Sequence, residues 1–140
     1  MPKLGLHVRN EMQKIVLDTN ILVSAMLSIN GNSAKIVNMA LNRELSVCYN
    51  SGILFEYADV LYRPRFDFNI EKVKNIIGTI NEFGIELTPD ASDFPMIDES
   101  DRKFYDLHKA ANAILITGNA KHFPKEDLIM SPATFMEHFF

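Results

Sequence analysis

The sequence predicts an α/β protein, a mostly parallel sheet with helices on both faces, and three observations carry that expectation. Short apolar runs at 15–17, 45–49, 113–117 and 128–130 alternate with longer stretches whose apolar residues recur at helical spacing. Such alternation builds parallel sheets through helical crossovers. Glycine, proline and asparagine punctuate the junctions between the two kinds of stretch. Third, the run Lys14-Ile15-Val16-Leu17 stops abruptly at Asp18, which is followed by Thr19 and Asn20. A buried strand that delivers a carboxylate to its C-terminal edge places it in the crevice where open α/β sheets bind their ligands. The same residues also suit a helix N-cap, where aspartate and asparagine are favoured.

Each element follows from local signals. A short helix starts near Asn20 and gives way to a loop at 28–32 containing Gly31. A second helix starts at Ser33, with Ile36, Val37, Ala40 and Leu41 at core spacing. The alternating stretch 45–49 is the second strand, and Ser51 caps a helix that runs to about Tyr62, ahead of Pro64. A helix over 70–83 ends at Gly84, and 85–88 is a third strand stopped by Pro89. A loop rich in Asp and Pro leads to a helix near 101–111, then come the strand 113–117 and a turn at Gly118-Asn119. A short strand at 128–130 and a last helix after Ser131-Pro132 complete the chain. No internal repeat, low-complexity segment or linker interrupts this pattern. The expectation is one domain over 1–140, with residues 1–13 as an N-terminal extension.

A chain of 140 residues buries roughly two-thirds of the surface its unfolded form exposes, so it needs no staple. Its one cysteine, Cys48, lies in the alternating stretch 45–49 and reads as a small core residue of a cytoplasmic protein. No apolar run approaches the ~18 residues of a membrane span. The N-terminus, with Lys3, Arg9, Glu11 and Lys14, lacks the apolar core of a signal peptide. Lys and Arg number 14 against 18 Asp and Glu, a net charge of −4. Residues 90–106 alone carry six acids, Asp90, Asp93, Asp98, Glu99, Asp101 and Asp106, against Arg102 and Lys103, also −4. The acidic excess is therefore local. A broadly basic face for nucleic acid is absent, so any nucleic acid is expected to bind through metal and a few cations.

Three further positions stand out. On a helical wheel Ile53, Leu54, Tyr57, Val60 and Leu61 form one buried arc with Glu56 at its shoulder, whereas Asp59 points farther out. Asp98-Glu99-Ser100-Asp101 has the spacing of a capping arrangement at a helix start, with Phe104, Leu107 and Ala111 as the buried stripe behind it. Ile116-Thr117-Gly118-Asn119 repeats the pattern of the first strand, a buried run ending in small and polar residues. Taken singly, Glu56 reads equally as a solvated residue, Asp98 as a cap and Asn119 as a turn residue.

Together these residues resemble the PIN domain, and in particular the bacterial PIN proteins that form the toxin component of toxin–antitoxin systems. The resemblance runs from Lys14 to Phe139. It rests on residues 16–25, on Ser51 with Glu56, Val60 and Leu61, on Arg63-Pro64-Arg65-Phe66, and on Asp98-Glu99-Ser100-Asp101 ahead of Phe104. Residues 115–124 and Ser131-Pro132-Ala133-Thr134-Phe135 complete it. It implies a three-layer α/β/α fold with strand order 3-2-1-4-5 and a metal-dependent endoribonuclease that hydrolyses RNA phosphodiester bonds. It also implies an acidic cluster matching Asp18, Glu56, Asp101 and the position of Asn119. Asp101 rather than Asp98 matches the third acid by its separation from Asn119. Many members have Asp at that last position, so this chain departs from the pattern by one charge, which bears on a second metal ion.

The chemistry is consistent with such a site. Three carboxylates at one edge repel one another unless they are neutralised, and a hard divalent cation held by oxygens is the usual solution. Mg²⁺ or Mn²⁺ suits this donor set. His7, His108, His122 and His138 have no His or Cys neighbour at metal-ligand spacing, so zinc is not expected and these histidines read as surface or structural. The resemblance makes Asp18, Glu56, Asp101 and Asn119 the catalytic set, with the first three as metal ligands and Asp18 central. Thr19, Asn20, Asp98 and Thr117 would orient ligands or waters from behind, and Arg63, Arg65 and Lys121 would contact RNA phosphates. The expected partners are RNA, an antitoxin protein and a second copy of the chain. The last rests on the apolar excess of Ile21, Leu22, Ala25, Met26 and Leu27 with Ile36, Val37, Met39, Ala40 and Leu41. A haloacid-dehalogenase-type phosphatase would need a second Asp where Asn20 stands, and a receiver domain would need one where the third strand offers Thr88-Pro89. The rival left open is a PIN-like domain that binds RNA or a protein without efficient cleavage.

Overall fold

The computed structural model describes residues 12–139; residues 1–11 of the N-terminal extension, His7 among them, lie outside the described residues. Along the described chain run β1 (Lys14–Leu17), α1 (Thr19–Leu27), α2 (Asn32–Leu41), β2 (Ser46–Tyr49), α3 (Ser51–Leu61), α4 (Ile70–Phe83) and β3 (Ile85–Glu86). There follow α5 (Arg102–Ala111), β4 (Ile114–Ile116), β5 (Ile129–Met130) and α6 (Pro132–Phe139), with 3-10 turns at Glu99–Asp101 and Ala120–His122. The strands pair in parallel in the order β3-β2-β1-β4-β5, between helical layers.

The central strands read as continuous apolar runs because both of their faces are covered. Ile15, Val16 and Leu17 of β1 and Ile114, Leu115 and Ile116 of β4 are all buried. Their register pairs Ile15 with Ile114 and Leu17 with Ile116, so the two strands end level. The Asp18 amide continues the ladder by donating to the Ile116 carbonyl at 3.0 Å. Asp18 and Thr117 therefore emerge side by side. On the other flank β1 pairs with β2, so the crossovers diverge between β1 and β4 and open a crevice at the strand ends.

Helix α5 lies across β1, β2 and β4, and its predicted stripe of Phe104, Leu107 and Ala111 is buried. Each large apolar side chain so buried contributes about 1.5–3 kcal/mol. Asn112 ends that helix in the left-handed conformation, φ 53°, that Asn tolerates well. Helix α4 buries Val73, Ile76 and Ile80 and stops at Gly84. A Cβ at that position would stand 2.5 Å from the carbonyl oxygens of both Ile80 and Val47, so the chain can turn into β3 beside β2 only with glycine there.

Several boundaries differ from expectation for local reasons. The cap of α3 is Asn50 rather than Ser51: Asn50 is extended, and its Oδ1 accepts from the Ile53 amide at 3.1 Å. The third strand spans Ile85–Glu86 instead of 85–88, because β2 offers it only a short partner and the last ladder bond runs from the Leu87 amide to the Tyr49 carbonyl. Before α5 the chain takes a 3-10 turn, and Asp98 caps that turn through the Ser100 amide. Cys48 is buried and free. Most of the apolar excess on α1 and α2 is absorbed by the core, although Leu27 and Ile29 stay exposed. No helix among the described residues is long and apolar enough to cross a membrane.

Candidate active site

Asp18 occupies the N-cap position of α1 without making a side-chain capping bond. Its Oδ2 instead accepts from the Thr117 hydroxyl at 2.7 Å, and only 7% of the residue is exposed. The position is thus that of a cap, while the side chain belongs to the crevice. Thr117 Oγ1 also accepts from the Asn119 amide at 3.0 Å, and the Gly118 amide donates to Asn20 Oδ1 at 3.1 Å. These bonds tie the turn after β4 to the first turn of α1. Beneath them the Tyr57 hydroxyl donates to the Leu17 carbonyl at 2.5 Å. Burial, with the charges of Asp18 and Glu56, holds that phenol well above its ordinary value, so it stays a neutral donor.

Glu56 lies on the shoulder of α3, half-buried, as the helical wheel requires. One of its oxygens accepts from the Thr19 hydroxyl. The other is 2.6 Å from Lys103 Nζ, in an ion pair from α3 to the first turn of α5. Asp101 ends the 3-10 turn at the same edge. Burial pushes the Asp18 carboxyl up and the charge of Glu56 adds to this, while the Thr117 hydrogen bond and the Thr19 and Asn20 amides pull it back. Asp101 is raised to about 6, first by burial and then by the charges of Asp18 and Asp98, with Glu56 adding less and His122 opposing. Asp98 is held below the usual carboxylate range because its oxygen accepts from the Ser100 amide and hydroxyl. The acids are close enough to act on one another, and Asp101 responds both to its burial and to their charges.

A hard divalent cation fits part of this edge. Mg²⁺ commonly takes one or two carboxylates and keeps several waters, and Asp18 and Asp101, which act on each other through their charges, are the two carboxylates that could supply them. Glu56 does not fit as a third ligand in this arrangement, because both of its oxygens are engaged by Thr19 and Lys103. Among the described residues no group of three His, Cys, Asp or Glu side chains is placed to hold a metal ion. Asn119 turns its amide toward His122, with Nδ2 3.0 Å from Nδ1, so its backbone rather than its side chain serves the Asp18–Thr117 pair.

Of the expected phosphate contacts, Arg65 lines an open cleft of ≈ 470 Å³ together with Thr19, Asn20 and Phe66, immediately beside the acidic edge. Arg63 is drawn to Asp59 at 3.2 Å, and Lys121 is exposed on the 3-10 turn after β4. Sequence reasoning missed Lys103 and the contribution of His122. The only signal for Lys103 was a cation in the first turn of a helix, where the macrodipole disfavours it. His108 is structural, as expected: it is buried in α5, with Nδ1 2.8 Å from the Ala113 carbonyl.

A protein from the archaeon Methanocaldococcus jannaschii, itself uncharacterized, is 26% identical over 109 residues, covering 76% of this chain and 70% of its own length. No solved structure matches the chain at the same stringency. The sequence model of the PIN domain matches residues 14–121. That span opens on the first residue of β1 and closes in the turn after β4, taking in every acid of the edge described above, and the chain belongs to the PIN domain family.

Proposed function

We propose that the protein is a Mg²⁺- or Mn²⁺-dependent endoribonuclease that hydrolyses RNA phosphodiester bonds, and that it acts as the toxin component of a toxin–antitoxin pair. The observation that carries this reading is the buried Asp18 at the switch point of the sheet, with Asp101 beside it under its charge. PIN domains are generally nucleases and typically use divalent metals, which supports a hydrolase. When bound, a divalent ion lowers the pKa of a coordinated water and offsets charge on the leaving oxygen. Asp18 and Asp101 would hold it. Thr117 fixes the carboxylate of Asp18, Asn20 pins the turn above it, and Arg65 and Lys121 would hold backbone phosphates on either side.

Cleavage of single-stranded and structured RNA with Mn²⁺, by the wild type, Asp18→Asn and Asp101→Asn, tests the reading. Loss of cleavage in both variants with the melting transition kept supports it, and undiminished activity in either overturns it. The rival reading, RNA or protein binding without efficient cleavage, is favoured by one observation: Lys103 neutralises Glu56 while Asn119 carries no charge. Equal RNA retention by wild type and Asp18→Asn, with no cleavage by either, would select it. The toxin role predicts growth arrest on expression, relieved by Asp18→Asn. A second copy of the chain on the exposed Leu27 and Ile29 is a further proposal, which sedimentation at micromolar concentration tests.

A further inference from the structure

We propose that Lys103 is a fixed cation of the acidic edge, holding Glu56 in place of a second divalent ion, so that the protein binds a single divalent ion at Asp18 and Asp101. This rests on the metal-dependent reading above. Lys103 Nζ stands 2.6 Å from Glu56 Oε1 and donates to the Ser100 carbonyl at 2.6 Å, while the ring of Phe104 lies 5.2 Å away. The lysine and glutamate side chains are only 30% and 27% exposed. An ordinary surface ion pair contributes little and joins neighbours on one helix or two wet loops. This one instead joins α3 to the first turn of α5, and Glu56 is further held by Thr19 of α1, so three elements converge on one carboxylate.

Two independent features favour a functional placement. First, the first turn of α5 carries no acidic residue but begins with Arg102 and Lys103. Cations there oppose the helix macrodipole. Arg102 is compensated by Glu99, three residues away, whereas the anion that compensates Lys103 is a candidate active-site acid. Second, among the three acids that match the family's cluster, the charges balance around one metal. Asp18, Glu56 and Asp101 carry three negative charges and Lys103 returns one positive, which leaves the two that a single divalent ion neutralises. Asp98, held by the Ser100 amide and hydroxyl, stays charged and acts on Asp101 from outside that set, and Asn119 adds no charge.

Mn²⁺ binding to the full chain without RNA, followed by electron paramagnetic resonance and calorimetry, tests this apart from activity. The wild type is expected to bind one ion. Lys103→Met keeps the apolar stem and removes the charge, so Glu56 is released and either a second ion binds or the first binds about tenfold tighter. Lys103→Arg keeps a cation and is expected to stay at one ion with wild-type affinity. Lys103→Met/Glu56→Gln is expected to lose the gain, because the freed carboxylate is its cause. Two ions on the wild type, or unchanged stoichiometry and affinity in Lys103→Met, overturn the proposal. The same holds for Lys103→Arg behaving like Lys103→Met, which also covers a Met variant that fails to fold. No Mn²⁺ on any variant overturns the metal-dependent reading itself and this inference with it, an outcome distinct from one ion on all of them.

Discussion

Two aspartates in this molecule are almost equally buried, Asp18 at 7% and Asp106 at 8% exposed, and they serve opposite ends. Asp106, on α5, has both oxygens engaged by one residue: the Ser92 amide at 2.9 Å and the Ser92 hydroxyl at 2.6 Å. Arg102 adds a bond to the Ser92 carbonyl at 2.7 Å and so closes a tie that fastens the loop before α5 to the helix. Asp18 is held by the Thr117 hydroxyl, with the Thr19 and Asn20 amides nearby, yet Glu56 also faces it as a like charge. A buried acid whose two oxygens are both engaged by one loop residue ties structure together, and a buried acid that faces other acids is a candidate for binding a ligand.

The largest expected effect that would break this contrast is on activity. Asp18→Asn should lower RNA cleavage by at least about 100-fold while leaving the melting temperature equal to or above that of the metal-free wild type, since it removes one of several repelling charges at constant shape. Asp106→Ala should do the reverse. It strips two hydrogen bonds from Ser92 and should cost about 1–3 kcal/mol, lowering Tm by about 5 °C, with activity per folded molecule retained. Thermal melts and single-turnover cleavage on the same preparations decide both. If Asp106→Ala loses activity without losing stability, the division between the two aspartates fails.

How much of this was visible in the sequence depends on how local the cause is. The strand 14–17 and the run 113–117 are legible because apolar continuity is a local signature of a strand covered on both faces, and the register that levels Asp18 with Thr117 follows once the two pair. Glu56 is legible as a shoulder residue from the wheel of α3 alone. Lys103 is not, because the carboxylate it meets lies on a different helix and the contact exists only after α3 and α5 pack. The cap of α3 slips by one residue because Asn50 and Ser51 are both good caps and only the backbone conformation chooses between them. The long strand 85–88 shortens for a similar reason: an apolar stretch announces a strand, but its length is set by how far the neighbouring strand extends.

A smaller effect concerns pH. Asp101 has its folded value raised from 3.8 to about 6, so across that window the native state binds more protons than the unfolded one. Its contribution is present in full below about pH 4 and is lost as pH rises through 6. His108 acts in the opposite sense: burial lowers its folded value from 6.5, so its contribution is present above 6.5 and is lost as pH falls. In metal-free buffer the Tm of Asp101→Asn should therefore gain on the wild type as pH rises from about 4 to 6 and hold that lead above it. Millimolar Mg²⁺ at pH 7.5 should close the gap by stabilising only the wild type. A difference between the two proteins that does not change with pH would show that neither burial nor the other acids raise Asp101.

The smallest expected effect is at Asn119, and it sharpens the contrast most finely. If a charge matters wherever it enters the acidic edge, Asn119→Asp should tighten Mn²⁺ binding as much as releasing Glu56 does. The structure argues otherwise. The Asn119 side chain faces His122 across 3.0 Å, while its backbone amide is the part bonded to Thr117. An aspartate there would meet the imidazole first, and its pull on the metal would be partly spent on that partner. The expected gain is about two- to threefold, below the roughly tenfold expected of Lys103→Met. Asn119→Asp/His122→Ala should recover the remainder, because the competing partner is gone. Calorimetric Mn²⁺ titration of the three proteins checks the ranking. A tenfold gain from Asn119→Asp alone would mean that the side chain at 119 turns to the carboxylates when metal binds, and that the edge closes around four positions rather than two.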